Sequence, residues 1–293
     1  MAFLTDEWQS QNISTPVLRG SAYAAQLKTA LSQNRNYFKS YTTHDIATAL
    51  RRLDKSKADY HILIPLYKAY KPESNHQFRA EDLAKRIELM RALENLDLPS
   101  GETDTVVNRW KALEKCNALA AEIYGHEKDT LRRVFRKAKI GHKNMATLSN
   151  GSHDLENRTI YINVQKNTRS NMVTTFHRGF IEAAVTAFHE ARHTYQDSMS
   201  QNHPCAEYRD IACIMKLSSR GDYYLNKTHS SYLCNPGEVD AHDFESNIRE
   251  FLSGSAEERI ELISRLENQR LAHLAALSRP GVTYPQASMA IAA

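Results

Sequence analysis

The chain has 293 residues, 41% hydrophobic and 25% charged, with 38 basic against 34 acidic residues and a net charge of +4. That length allows one large domain or two smaller ones, and the mild, interspersed charge argues against a nucleic-acid footprint. The sequence shows no signal-peptide h-region and no apolar run long enough to span a membrane. Its four cysteines (Cys116, Cys205, Cys213, Cys234) contain no C-x-x-C pair, which argues against a disulfide framework and a zinc knuckle. The expected setting is cytoplasmic, or a host cytosol reached by a non-classical export route.

The first forty residues are polar and weakly periodic, with a helix expected near Ala24 to Leu31. From Thr42 to Asp54 the pattern is helical: Thr43 can cap, and Ile46, Leu50 and Leu53 share a stripe. Pro65 interrupts "YHILIPLYKAYKP", so short helices are expected on either side of it. Arg79 to Leu96 reads as an amphipathic helix with Leu83, Ile87, Met90 and Leu93 inward. Val106 to Gly125 reads as another, closed by Gly125. A third helix is expected from Asp129 to just before Gly141. It overlaps the densest basic run, "LRRVFRKAKIGHK" (Leu131 to Lys143), which reads first as a solvated face and, as an alternative, as a contact to an acidic partner.

There the period changes from helical to alternating. Met145 to Leu148 and Thr159 to Val164 read as two extended segments of a hairpin, with Asn150-Gly151 in a long turn. Helical spacing returns with Ile181, Ala184, Val185 and Phe188 as a buried stripe, and a last amphipathic helix covers residues 256–278. The expected fold is mainly α with a small β element (α+β): a helical region over residues 1–140, a second unit over 141–278 and a flexible tail over 279–293. The boundary is placed near Lys137 to Lys143.

The chemistry concentrates in "TAFHEARHTYQD". His189 and His193, four apart on a helix, present two imidazoles on one face. Glu190 lies off that face, where it can take a proton from a water polarised by an ion on the two histidines. H-E-x-x-H therefore encodes two ligands and a base, although two histidines can also share a helix without a metal. A third ligand is expected from "SYLCNPGEVDAHDFESNIREFL". Asn235 and Pro236 suit a helix start, and Glu238, Ala241, His242 and Glu245 share a face. A small residue at Ala241 would let this helix approach the motif helix. Glu238 can alternatively close a capping box with Asn235. Asp240, Asp210 and His203 are the reserve ligands, and His203 lacks the glycine that turns the chain towards a third histidine in some zinc proteases.

"HEARH" followed by "NPGEVDAHDF" resembles the glutamate-liganded zincins, the gluzincin metallopeptidases. The spacing of Glu238, Asp240, Ala241 and Phe244 is similar to the third-ligand segment of small ImmA/IrrE-type bacterial and phage peptidases. The resemblance covers about residues 145–250 and does not extend to 1–140. It implies a zincin-like catalytic unit holding one Zn2+, with His189, His193 and Glu238 as ligands and Glu190 as general base. It also implies that the hairpin 145–164 supplies an edge strand along which a peptide is laid. Tyr232 is the first choice for stabilising the oxyanion, with Tyr223, Tyr224 and His229 nearby in sequence. Arg192 and Gln196 are expected to fix neighbours, and His242 to support Glu238. The implied function is a zinc-dependent endopeptidase, such as a bacterial or phage-related regulator, toxin or secreted effector, acting on a specific protein or peptide substrate. The alternative is a zincin-fold or helical interaction module without turnover. Neither substrate nor oligomeric state can be read from the residues.

Overall fold

The computed structural model describes residues 18–53, 60–135, 139–140, 146–147, 150–165, 174–202, 205–218, 232 and 234–278. It is mostly helical, with a small three-stranded sheet. Helices α1 (Gly20–Gln33), α2 (Thr43–Arg52), α3 (Tyr60–Ala69), α4 (His76–Glu94) and α5 (Val106–Tyr124) precede the strands. Helices α6 (Thr175–Arg178), α7 (Phe180–Asn202), α8 (Ala206–Ser218), α9 (Pro236–Ser253) and α10 (Ala256–Leu277) follow them. Among the described residues no helix is long and apolar enough to cross a membrane. The tail 279–293 lies outside the described residues.

Local chemistry accounts for several helix ends. Thr42, rather than Thr43, caps α2: its hydroxyl accepts from Asp45 N, and the Asp45 carboxylate takes Thr42 N at 2.9 Å. The acid three residues on favours Thr42, because the residue three beyond Thr43 is Ile46. Gly125 closes α5 with φ 69°. Helix α3 runs through Pro65 instead of splitting there. Pro65 withholds one N–H, but Ile62, Leu63, Leu66 and Tyr67 are all buried, and their packing holds the turn together.

The helix expected from Asp129 to Gly141 does not form. Thr130–Val134 is strand β1 and Lys139–Ile140 is β2, paired antiparallel with β3 (Ala146–Thr147). The Leu131/Val134 spacing suits a helix, but β1 runs parallel to β5 (Thr159–Asn163), where Ile160 and Ile162 are fully buried. Pairing there satisfies one side of a central strand, a non-local gain that periodicity does not register. Arg132 and Arg133 face outward, and Arg133 stacks 4.5 Å from the Trp110 ring centre. The hairpin partner of β5 also differs from expectation. It is β4 (Gly151–Asp154), so Gly151 begins a strand, and the chain reverses at residues 155–158, where Arg158 has φ 45°. The sheet order is β1-β5-β4, which leaves β4 at the edge, against α7.

One contiguous apolar core runs from Tyr23 on α1 to Leu266 on α10. Helix α4 packs on α10, α5 on α7 and α2 on α8, so the chain on either side of residue 140 shares this core, and β1 joins the sheet from the N-terminal side. Within the core lies a set of charges. Asp82 and Arg86 on α4 and Arg192 on α7 are fully buried or nearly so. Arg192 grips Asp240 of α9 with two bonds (2.7 and 2.9 Å) and meets Asp82 at 2.7 Å. Arg86 donates to Asp82 (2.9 Å), Asp243 (2.7 Å) and Asn247 (3.0 Å). Burial alone would raise the Asp82 carboxyl, but the guanidinium groups of Arg192 and Arg86 hold it well below the usual carboxylate range.

Removing one partner strands buried charge on the other. Asp82→Ala should therefore lower unfolding free energy by roughly 3–5 kcal/mol, read from the urea midpoint. An unfolded aspartate titrates near pH ~3.9, and Asp82 is depressed below that when folded. Its contribution is thus complete above about pH 4 and is lost as pH falls further. The wild-type midpoint should drop steeply below about pH 4, and the drop should be shallower in Asp82→Ala.

Candidate metal centre

Helix α7 carries His189 and His193 on adjacent turns, with ring centres 5.1 Å apart. Helix α9 starts at Asn235-Pro236, as the sequence suggests, and Ala241, with no exposed surface, lets it lie close on α7. This brings Glu238, in the first turn of α9, to both imidazoles. Its Oε2 is 3.5 Å from His189 Nε2 and its Oε1 is 3.7 Å from His193 Nε2. The alternative capping box is not made. Asn235 provides no side-chain cap and instead donates its amide to Tyr232 O at 2.9 Å.

Each imidazole is held through its other nitrogen. His189 Nδ1 lies 3.0 Å from Glu245 Oε2, and His193 Nδ1 lies 2.9 Å from Gln196 Oε1. Gln196 in turn donates to Gly237 O (3.0 Å) and to Asp240 Oδ2 (2.8 Å). Gln196 and Arg192 therefore fix neighbours, as expected, and tie the motif helix to α9. Asp240 is engaged by Arg192, and Asp210 by His44 (2.8 Å) and Arg51 (2.7 Å); neither joins the three donors. His203, Tyr223, Tyr224 and His229 lie outside the described residues.

The charge distribution follows from this packing. Burial works against the charged form of His189, but its bonds to Glu238 and Glu245 outweigh burial and push it up to about 10. Burial dominates at His193, which falls to about 4 despite the charge of Glu238. Burial would raise Glu238, yet the two histidines and Tyr232 bring it down to about 2. Tyr232 OH donates to Glu238 Oε2 at 2.5 Å and lies 3.1 Å from His242 Nε2. Its proton is thus directed at the glutamate in this structure, and serving a substrate oxygen would require the hydroxyl to turn.

Glu190 sits off the imidazole face, half-buried against the edge strand. A Cβ on Gly151 would stand 2.8 Å from Glu190 Oε1 and 2.8 Å from Thr186 Cγ2, so any larger residue here requires those side chains to shift. Two residues on, the sheet is clamped to the helix. His153 Nε2 lies 3.1 Å from Thr194 Oγ1, and that hydroxyl donates to Asp129 Oδ2 at 2.5 Å. Sequence reasoning placed Gly151 in a turn and assigned no role to Glu245 or to this His153–Thr194–Asp129 clamp. The i+7 spacing of Glu245 from Glu238 was the one available signal, because the clamp joins three segments distant in sequence.

Comparison with protein-family models, with curated proteins and with solved structures gives no match to this chain.

Gly151→Ala forces Glu190 and Thr186 to give way. It should destabilise the protein by about 1–3 kcal/mol in urea unfolding. An unchanged midpoint would mean that β4 does not rest on α7 as closely as described.

Proposed function

We propose that the chain is a zinc-dependent endopeptidase acting on a protein or peptide substrate, with His189, His193 and Glu238 holding one Zn2+ and Glu190 as general base. The observation that carries this reading is the position of Glu238. From a helix some 45 residues beyond the motif, its two oxygens face the Nε2 atoms of both histidines. Zinc bonds of about 2.0–2.1 Å imply donor spacings of about 3.3 Å around a tetrahedron; the imidazoles stand 3.5 and 3.7 Å from separate oxygens of Glu238, and one donor atom of each residue lies within 4.8 Å of the others, so closing on an ion is a small movement. Two imidazoles and a carboxylate also suit zinc by ligand type and match a three-ligand catalytic set. When bound, the ion would polarise water and the scissile carbonyl.

The chain's own residues supply the remaining steps. Glu190, beside the edge strand and off the ligand face, accepts the proton of the attacking water and returns it to the departing amine. Strand β4 is the sheet edge nearest the motif helix, and a peptide laid along it would be held by main-chain hydrogen bonds beside Glu190. Glu245 and Gln196 orient the two imidazoles so that each Nε2 faces Glu238. Tyr232, released from Glu238, is the candidate donor to a developing oxyanion.

Bound metal should be measured by elemental analysis, alongside a proteome-wide comparison of new N-termini between wild type and Glu190→Gln. Glu190→Gln should keep about one zinc per chain and lose cleavage by at least about 10²-fold. His193→Ala should lose the tightly bound zinc. Cleavage by Glu190→Gln at the wild-type rate would refute the mechanism. Zinc binding by a wild type that produces no new N-termini would instead favour an interaction module.

A further inference from the structure

Glu245 faces two imidazoles. Its Oε2 lies 3.0 Å from His189 Nδ1 and 3.0 Å from His242 Nδ1, and Arg249 holds its other oxygen at 3.3 Å. The ring centres of His189 and His242 are 4.7 Å apart. One donor atom from each of His189, His242 and Glu245 falls within 4.8 Å of the others, as in the set formed by His189, His193 and Glu238. The two sets use opposite nitrogens of one ring: Nε2 of His189 faces Glu238, and Nδ1 faces Glu245.

We propose that His189, His242 and Glu245 form a second divalent-cation site, joined to the first through the His189 imidazole. Two nitrogens and one carboxylate oxygen favour Zn2+ or Co2+ over Mg2+ or Ca2+, which take oxygen ligands. Spreading the 3.0 Å contacts to the spacing of about 3.3 Å that zinc requires is a small movement. The anchor from Arg249 leaves Oε2 turned towards the two rings. Side-chain exposures of 40% for His242 and 21% for Glu245 give an ion access from solvent, whereas His189 is only 12% exposed. Filling both sites requires His189 to coordinate through both nitrogens, its remaining ring proton going to solvent. Two cations facing each other across one ring repel, so the second ion binds more weakly, by at least about tenfold.

This inference rests on the proposed function only in taking the Nε2 side of His189 as the tighter site. If Glu245 does no more than orient His189, a single ion binds. The test is titration of the full-length, untagged apoprotein with Co2+, following visible absorption and bound metal at equilibrium. Wild type should take two equivalents, one tight and one weaker. His242→Ala and, separately, Glu245→Gln should lose the weaker equivalent, with circular dichroism checking that each variant is folded. Glu238→Ala should lose the tight equivalent and keep one. Saturation of wild type at one equivalent with His242→Ala binding identically, or two equivalents remaining in folded His242→Ala, overturns the second site. If His193→Ala and Glu238→Ala bind as wild type while His242→Ala binds nothing, the second site stands and the centre proposed for catalysis falls.

Discussion

The guanidinium of Arg192 is the constraint on which the rest of the arrangement depends. It sits on α7 between the two histidines in sequence, is fully buried, and is bound by Asp240 of α9 and Asp82 of α4. Its planar fork accepts the Asp240 carboxylate in one orientation, so the two helices cannot slide along each other without breaking both bonds. A slip of one helical turn would move α9 by about 5.4 Å and carry Glu238 out of reach of the imidazoles. The convergence of the three donors is thus a consequence of an ion pair that contains none of them.

Burying so many charges is costly unless every partner is present. Here Asp82 is shared by Arg86 and Arg192, Asp240 also takes Gln196, and Gln196 reaches His193. An apolar core of the same volume would stabilise α4 against α7 and α9 without fixing their register. The polar arrangement leads from the centre of the protein to the Nδ1 atom of one candidate ligand, so the orientation of that ring is set by groups several layers away.

Much of the candidate site was legible because helical spacing is a local property. His189, Glu190 and His193 follow from one turn of α7, and Glu238, His242 and Glu245 from one face of α9. Their meeting was an inference from ligand chemistry, and the packing of Ala241 supplies its geometric reason. The β element was read less well, for a different reason. Strand β1 exists because β5 needs a neighbour, and the polar β4 is the sheet edge lying against α7; neither condition leaves a periodic trace. Gly151 illustrates the limit. In sequence Asn-Gly suggests a turn, whereas the fold uses the missing side chain to make room for a carboxylate from another element. Likewise Asp82 and Arg86, polar positions on an amphipathic helix that received no role from the sequence, are fully buried where α4 meets α9 and α10.

The parallel pairing of β1 with β5, together with the reach of Arg192 to Asp82, bears on how the chain could be dissected. A fragment beginning at residue 141 would retain every histidine and carboxylate of the candidate centre. It would nonetheless lack the Asp129 carboxylate that holds Thr194, the strand that covers one side of β5, and one of the two acids that neutralise Arg192. The Thr194–Asp129 and Arg192–Asp82 contacts join residues 65 and 110 apart, so they form only once the chain has largely collapsed, and loop-closure entropy delays them. Limited proteolysis or domain trimming would therefore not be expected to release a smaller working unit. Asp82, Asp129 and β1, all before residue 140, belong to the scaffold of the candidate centre.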